Sequence, residues 1–551
     1  MKIVRRLAAT LGALGALALM VPAACSAQTP VTFEDIVHSA AAPNPGNWLT
    51  YGGNLAAQRF SELKQINTDN VKSLKVAWVY QLGGPGVIES VPLVNNGIMY
   101  VTSPPSTVHA LDARTGKELW QFSPQLPRDL VTIGLFPTNR GVALLGNTVY
   151  LNTIDAHLVA LDAKTGREKW SVEVADNKKG FADTGAPLAI NGKIIVGVGG
   201  GEAGAHGFLS AYDPKDGKLL WRLYTVPRSP EDPGANTWAN GSWSNGGGTT
   251  WNTGSYDPES NTIYWGTGNP APDWNGTGRM GDNLFTCSLL AINADTGKMK
   301  WYFQFTPHEV HDWDSSEPPI LFDAKVDGQM RKLVALANRN AFYYVLDRTT
   351  GKFITGVPFA KQSWAKGLDK NGRPIKYPAK DIDPSPEGTL VYPSLTGGVN
   401  WTSPCYSPLT RLFYVNARDA GAWYIQGEAK MAPGNSNGVV GGGGGGGRFM
   451  VGDQDTTSIR ALDAVTGKRV WQFPMTGDSW TGVLATAGNL IFSADAEGNF
   501  FALNATNGDP LWHLELGSAL RSNPMTYAVD GHQYVADSSG SSLFVFDVPQ
   551  D

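Results

Sequence analysis

The sequence predicts an all-β chain closed as a single eight-bladed β-propeller with tryptophan-docking repeats. A turn motif that ends in tryptophan recurs along the chain, and adjacent clear copies lie about 50 residues apart, the length of a four-stranded blade. Long helical periodicities are few, while 65 Gly and 18 Trp among 551 residues suit short strands and tight turns.

The motif reads apolar-Asp/Asn-Ala-x-Thr-Gly-Lys-x-x-Trp. Its clearest copies centre on Asp112 with Gly116 and Trp120, and on Asp162 with Gly166 and Trp170. Others are Asp213 with Gly217 and Trp221, Asn293 with Gly297 and Trp301, and Asp347 with Gly351. Asp463 with Gly467 and Trp471, then Asn504 with Gly508 and Trp512, complete the set. The Asp or Asn starts a turn by bonding nearby backbone, and Gly supplies the positive φ that reverses the chain. The returning strand then carries Trp to pack between sheets. Runs such as Ile98-Met99-Tyr100-Val101, opened by Asn96-Gly97, read as strands. Wider gaps, Asp213 to Asn293 and Asp347 to Asp463, leave room for insertions and at least one degenerate blade. Turns that carry Trp, with no helix per repeat, favour radial closure over an open solenoid.

The first residues have the parts of an export signal. Lys2, Arg5 and Arg6 precede a nearly all-apolar run over 7–21, and small residues follow over 23–27. Cleavage after Ala27 assigns 1–27 to a signal peptide and 28–551 to the propeller, with export to the periplasm. Cys25 offers a rival reading as a lipidated cysteine, although Pro22 stands where a bulky aliphatic is expected. The apolar run is short for a membrane span. Cys287 and Cys405 are the only later cysteines, and one possible bridge is no disulfide framework. No Cys-x-x-Cys-His occurs, so electrons from a redox reaction are expected to pass to a separate acceptor. A formal charge of −5, 17% charged residues and no long basic run after the signal argue against nucleic-acid binding. The unbroken glycine of 441–447 reads as a mobile loop, since no Lys-Ser/Thr follows as a phosphate loop requires.

Two stretches carry candidate chemistry. Gly266-Thr267-Gly268-Asn269-Pro270-Ala271-Pro272 offers an amide oxygen, and Thr306-Pro307-His308-Glu309-Val310-His311-Asp312-Trp313-Asp314 offers two close carboxylates. These are hard oxygen ligands, suited to Ca²⁺ or a larger hard cation. They make a poor zinc set, so His308 and His311 read as structural. Asp312 and Asp314 are two apart, and on a strand they would share a face.

Together with Trp48-Leu49-Thr50-Tyr51-Gly52-Gly53, Asn139-Arg140-Gly141, Gly200-Gly201-Glu202-Ala203-Gly204, Gly246-Gly247-Gly248-Thr249-Thr250-Trp251 and Asn338-Arg339-Asn340, these stretches resemble the pyrroloquinoline-quinone-dependent alcohol dehydrogenases over nearly the whole mature chain. The resemblance implies that Glu202, Asn269 and Asp312 hold a metal, with Asp312 also the catalytic base. It implies that Trp251 stacks beneath the quinone, that Arg140, Thr184, Thr249 and the Gly200-Gly201 segment contact it, and that Arg339 reaches its reactive carbonyls. Trp480 is a cofactor-wall candidate. Asp314 matches the extra Asp of lanthanide-using members, where many calcium users have a small residue. Sugar-oxidising relatives also resemble Asp-x-Asp here, and a turn before Ser315-Ser316-Glu317-Pro318 is the plainer reading. The expected cofactors are pyrroloquinoline quinone with Ca²⁺ or a lanthanide, the lanthanide favoured.

Two departures stand out. Gly134-Leu135, followed by Phe136-Pro137, replaces the adjacent disulfide-bonded cysteines that cover the quinone in many members, and Arg418 stands where Asn is usual. The implied function is oxidation of a primary or secondary alcohol, with electrons passed to a separate acceptor such as a periplasmic cytochrome c. A sugar or polyol dehydrogenase is the nearest rival within enzymes. A non-catalytic propeller scaffold lipoprotein of the cell envelope shares the blade pattern, but has no need of the four candidate metal ligands together.

Overall fold

The computed structural model describes residues 29–84, 86–130, 137–428, 446–452 and 456–549. The predicted signal, Cys25, the Gly134-Leu135-Phe136 cover and residues 441–445 of the glycine run lie outside them. The fold is an all-β propeller. Seven four-stranded sheets and one five-stranded sheet carry the chain, with a two-stranded and a three-stranded sheet added. Among the described residues the longest unbroken helix is the five-residue Phe33–Val37.

Within seven of the large sheets the motif builds the outer hairpin. Asp112 Oδ1 accepts the amides of Arg114 at 2.9 Å and Thr115 at 3.2 Å, while the Gly116 amide donates to the Asp112 carbonyl at 2.9 Å. Asp162, Asp347 and Asp463 repeat this pattern. The strand that follows sets Trp opposite Ala, as in Ala110 with Trp120, Ala211 with Trp221 and Ala461 with Trp471. Small Ala lets the indole lie flat and reach the next sheet. A Cβ at Gly166, Gly297 or Gly508 would meet Trp120, Trp221 or Trp471 at 2.5 to 2.6 Å, so these turns admit only glycine. The Trp221 indole N–H also donates to the Ala294 carbonyl at 3.0 Å, so a single side chain joins two sheets by packing and by hydrogen bond.

One junction departs from this. Thr355 stands opposite Val345 where the others set Trp opposite Ala, and Val357 and Tyr343 cover Gly467 instead. The Tyr343 hydroxyl donates to the Ala464 carbonyl at 2.7 Å, and a cleft of about 570 Å³ opens beside it, lined by Phe359, Lys361, Asp419 and Arg460.

The wide sequence gaps hold insertions and no degenerate blade. Residues between Asp213 and Asn293 supply the 3₁₀ segments Ala235–Thr237 and Ala239–Asn245 and the loop bearing Asn269. Between Asp347 and Asp463 come the hairpin Ala365–Leu368 with Pro374–Lys376, then the inserted sheet of Thr389–Val391, Ala422–Gln426 and Gly447–Val451. The motif-free sheet instead joins the chain ends: Lys75–Gln81 pairs antiparallel with Ser542–Asp547, beside His532–Ser539 and Met525–Val529. The repeat count missed this because the sheet is built from two distant segments.

Cys287 and Cys405 are both free and buried, so no bridge forms between them. Among the described residues no helix is long and apolar enough to cross a membrane. Trp221→Ala should cost about 3–5 kcal/mol of stability, the range for deleting a large buried aromatic. Chemical denaturation should show this as a lower midpoint with an unchanged slope.

Candidate active site

The predicted residues come from the inner ends of different sheets and meet around one centre. Asp314 is its hub. Its Oδ1 accepts the Asn269 amide at 2.7 Å, and its Oδ2 accepts the Trp251 indole N–H at 3.0 Å and Arg339 Nη1 at 2.8 Å. Arg339 Nη2 lies 3.4 Å from Asp312 Oδ2 and also donates to the Leu395 carbonyl. One guanidinium therefore joins both carboxylates of the Asp-x-Asp pair, the fork geometry for which Arg is suited. Gly268 makes this possible, because a Cβ there would fall 2.7 Å from Asp314 Oδ1.

The stretch that carries the pair is not a strand. Residues 311–319 have no regular structure, and Asp312 sits at φ 67°. The period-two argument for a shared face fails here, yet both carboxylates reach Arg339 because the left-handed residue turns the chain between them. Glu309 shapes that turn. Its carboxylate accepts the amides of His311 and, at 3.2 Å, Asp312. His311 is structural: its Nε2 lies 2.7 Å from the Ile382 carbonyl, its ring stacks on Trp313, and burial drives its pKa down to about 3. Burial, then the Arg279 charge, lowers His308 to about 4.

Glu202 rides on the short turn Gly201–Ala203, after Gly200 at φ 109°. The Asn269 side-chain nitrogen donates to Asp273 Oδ1 at 2.8 Å, which turns the amide oxygen away from that carboxylate. Thr249 is buried beside Gly201 and Gly268. Gly247 lets the triple-glycine segment pass the Asn269 loop, since a Cβ would meet the Asn269 carbonyl at 2.6 Å.

On the far side, Arg140 Nη1 donates to Thr184 Oγ1 at 2.8 Å and Nη2 pairs with Glu89 at 2.6 Å. The same guanidinium lies 4.9 Å from the Trp251 ring and 4.9 Å from that of Trp401. The Arg521 charge reaches Glu89 and its guanidinium lies 5.8 Å from Trp480. The Arg418 guanidinium lies 4.4 Å from the Trp480 ring, pairs with Asp478 at 2.5 Å, and donates to the Thr396 carbonyl at 3.3 Å, next to Leu395. Direct contacts join Arg339, Asp314, Trp251, Arg140 and Glu89 in one run, and Arg521, Trp480 and Arg418 in another; the Arg521 charge felt by Glu89 links them at one end, and the neighbouring carbonyls of Leu395 and Thr396 at the other, so the two runs make a ring. Trp480 and the unusual Arg418 both belong to this ring. Glu89, Trp401, Arg521 and Asp273 were not singled out from sequence, because each stands outside any motif.

The acidic side of the ring is strained electrostatically. Burial, then the Asp314 charge, raises the pKa of Glu202. Burial, then Glu202 and Glu309, holds Asp273 well above its usual value. Burial also holds Asp312 well above its usual value, opposed by Arg339 and reinforced by Asp314, Asp273 and Glu202. Burial works against the charge of Arg339, but Asp312 and Asp314 outweigh it and raise its pKa. Among the described residues no three His, Cys, Asp or Glu side chains close into a ready-made metal cluster. The donor set nonetheless suits a hard cation, since Glu202, Asp312 and Asp314 are buried around Arg339 while Asp273 faces Arg279.

Comparison with known proteins agrees with this geometry. The family of glucose/ethanol/alcohol dehydrogenase beta-propeller domains matches residues 48–362, and that of the outer membrane protein assembly factor BamB matches residues 386–549. Quinoprotein alcohol dehydrogenase PedH of Pseudomonas putida is 40% identical over 546 residues, covering 94% of this chain and 89% of PedH. The structure of quinohemoprotein alcohol dehydrogenase from Comamonas testosteroni superposes with a TM-score of 0.88 at 35% identity, covering 95% of this chain and 84% of that one. A europium-containing methanol dehydrogenase gives 0.86 at 33% identity, covering 93% and 100%. A propeller whose blades converge on such a ring is an oxidoreductase of the CH–OH class. The chain belongs to the pyrroloquinoline-quinone-dependent quinoprotein alcohol dehydrogenase family.

A stability consequence follows from the buried acids. Carboxyls whose folded pKa is raised stabilise the fold fully below the unfolded values near 4, and that contribution is lost as pH rises through the folded values. Protein freed of cations should therefore melt at lower temperature as pH rises from about 4.5 towards 8. Calorimetry at several pH values checks this, and Asp273→Asn should flatten the slope.

Proposed function

We propose that this chain is an exported, periplasmic quinoprotein that oxidises a primary or secondary alcohol to an aldehyde or ketone. In this reading residues 1–27 are a signal peptide and 28–551 one eight-bladed propeller, each Trp docking its blade on the next. The eight large sheets and the Trp–Gly contacts support that count. The observation that carries the function is the convergence of Asp312 and Asp314 on Arg339 beside Trp251, with Glu202 and Asn269 alongside.

Trp251 forms the floor for the planar quinone, with Trp480 on the opposite wall. Arg140, Thr184, Thr249 and the Gly200-Gly201 turn take up its polar edge, and Arg339 faces its carbonyl side. Glu202, Asn269, Asp312 and Asp314 hold the cation. Held there, quinone would supply a hydride acceptor for the alcohol carbon, and the cation a Lewis acid for its carbonyl. Asp312 takes the hydroxyl proton, and its burial makes it a stronger base than an exposed carboxylate. Arg339 pairs with that carboxylate and with Asp314, which restrains both.

Asp312→Asn should lower turnover by ~100-fold or more while the protein keeps its melting behaviour and bound quinone. Dye reduction with an alcohol panel measures this, and turnover kept within a few-fold would place the base elsewhere.

The cation is proposed to be a light lanthanide. Three carboxylates and an amide oxygen favour trivalent over divalent charge, and the likeness to a europium-containing methanol dehydrogenase supports the choice. Stripped protein reloaded with quinone and a light lanthanide should outperform the calcium form. Asp314→Ala should weaken the lanthanide response more than the calcium response, and should reduce the rise in melting temperature on lanthanide addition. Full activity with calcium and indifference to lanthanides would overturn the lanthanide assignment and leave the dehydrogenase reading standing.

A further inference from the structure

Two of the chain segments that carry candidate cation ligands are tied together by one side chain. Arg279 is completely buried. Its Nε and Nη2 donate to the Pro272 carbonyl at 3.0 and 2.9 Å, and Nη2 reaches the Asp273 carbonyl at 3.1 Å. Both carbonyls belong to the loop that begins at Asn269. The same Nη2 lies 2.6 Å from the Glu309 carbonyl, in the stretch that leads to Asp312 and Asp314. Nη1 donates to Asn283 Oδ1 at 2.9 Å, and Asn283 Nδ2 returns a bond to the Arg279 carbonyl at 2.7 Å, which fixes the guanidinium in place.

The partners of this charge are unusual. Three main-chain carbonyls and one side-chain amide accept its bonds, and all are neutral. Burial lowers the Arg279 pKa to about 10, although the charges of Glu309 and Asp273 oppose the shift. A buried charge held by neutral groups destabilises a fold, and apolar packing would join two loops at less cost. What a guanidinium adds is a rigid planar fork that holds both loops at one separation.

A second cation grips the same stretch from the inserted hairpin. Lys376 Nζ donates to the carbonyls of Pro307 at 2.6 Å and His308 at 3.1 Å. The carbonyls of residues 307–309 therefore all turn to side-chain cations, while the Glu309 carboxylate collects the amides of His311 and Asp312. The hairpin is itself anchored beside Arg279. Arg373 forks Asp282 at 2.7 and 3.0 Å, and the Asp282 carbonyl accepts the His308 amide at 3.3 Å. The inserted sheet backs the stretch as well, with the Tyr424 ring edge-on to His311 at 4.9 Å. At the other end of the tie, Asp273 orients the Asn269 side chain through its 2.8 Å bond.

We propose that Arg279 and Lys376 are positioning residues for the cation site: they set the separation of Asn269 from the Asp312–Asp314 pair, and so decide how tightly a hard cation is held. The proposal rests on the cation reading given above and adds what holds its ligands in register. It extends to Asp312 as base, since a shift of about 1 Å at a reacting group costs on the order of 100-fold in rate.

The test uses protein loaded with quinone and stripped of cations, with terbium as the probe, in the variants Arg279→Lys and Lys376→Met. Lysine keeps the charge of Arg279 but replaces the fork by a point donor, which separates geometry from charge. Luminescence titration should show terbium affinity at least tenfold weaker in Arg279→Lys and at least threefold weaker in Lys376→Met, at unchanged stoichiometry. In dye assays of the lanthanide form, kcat should fall at least tenfold in Arg279→Lys while the alcohol KM stays within twofold. Unchanged affinity in folded variants would overturn the proposal. So would a loss of terbium sites at unchanged affinity, because the substitutions would then only unfold part of the protein. Should Arg279→Lys fail to fold, Lys376→Met, at a partly buried position, decides alone. Absence of terbium binding by the unaltered protein would count against the cation reading. Hydrogen exchange then judges the tie: the amides of His311 and Asp312 should exchange faster in the variants, and equal rates would overturn it.

Discussion

Every distance at the centre depends on ring closure. The strand Lys75–Gln81 completes the sheet made by the last strands of the chain, so the two ends of the polypeptide lock one another. Without that pairing the sheets would be an open stack with a free edge at each end. Closure sets Arg140, Trp251, Arg339 and Trp480, which are far apart in sequence, around a single point. The Trp–Gly contacts then hold sheets at a fixed spacing at six junctions, and the ring tolerates little drift there. Residues placed on rigid strand ends and held by such packing are preorganised, as electrostatic catalysis requires.

The repeats were legible because each turn is locally determined. Asp with Gly four residues on specifies a hairpin whatever surrounds it, and Trp four residues further on specifies what packs next. The closing sheet was not legible, since it has no such turn and pairs residues almost a whole chain apart. The same division holds at the site. Glu202, Asn269, Asp312 and Asp314 stand inside distinctive motifs, and the structure brings them to one side of the ring. Glu89, Trp401 and Arg521 are isolated residues that only closure places beside Arg140 or Trp480. The strand argument for Asp312 and Asp314 reached the right neighbourhood by the wrong route. Alternation presumes extended φ, and Asp312 is left-handed because Glu309 collects the amides of the loop.

The acidic half of the ring is costly to bury. Glu202, Asp273 and Asp312 all gain proton affinity from desolvation, which outweighs Arg339 at Glu202 and Asp312 and Arg279 at Asp273. Buried charges without partners destabilise a fold. A site that keeps them trades stability for a strong field at one point, and a hard cation at that point relieves the cost where it is greatest. Stability and metal affinity are then two aspects of the same desolvation.

The junction without Trp stands next to the largest insertion. Thr355 lies on the strand Phe353–Pro358, after which the chain leaves the ring to form the inserted hairpin and sheet. Its cross-strand partner is Val345, too large to let an indole lie flat, so the usual wedge is absent. Polar contacts take its place: Arg460 pairs with Asp419 and donates to the Phe359 carbonyl, and Tyr343 bonds the Ala464 carbonyl. These bonds tie the start of the excursion, at Phe359, to its end, at Asp419 and Arg460. The excursion is thereby pinned at its base while its sheet packs on His311 and Trp313. The apolar wedge used elsewhere joins only neighbouring sheets, whereas this polar clamp also fixes the inserted sheet over the stretch that carries Asp312 and Asp314.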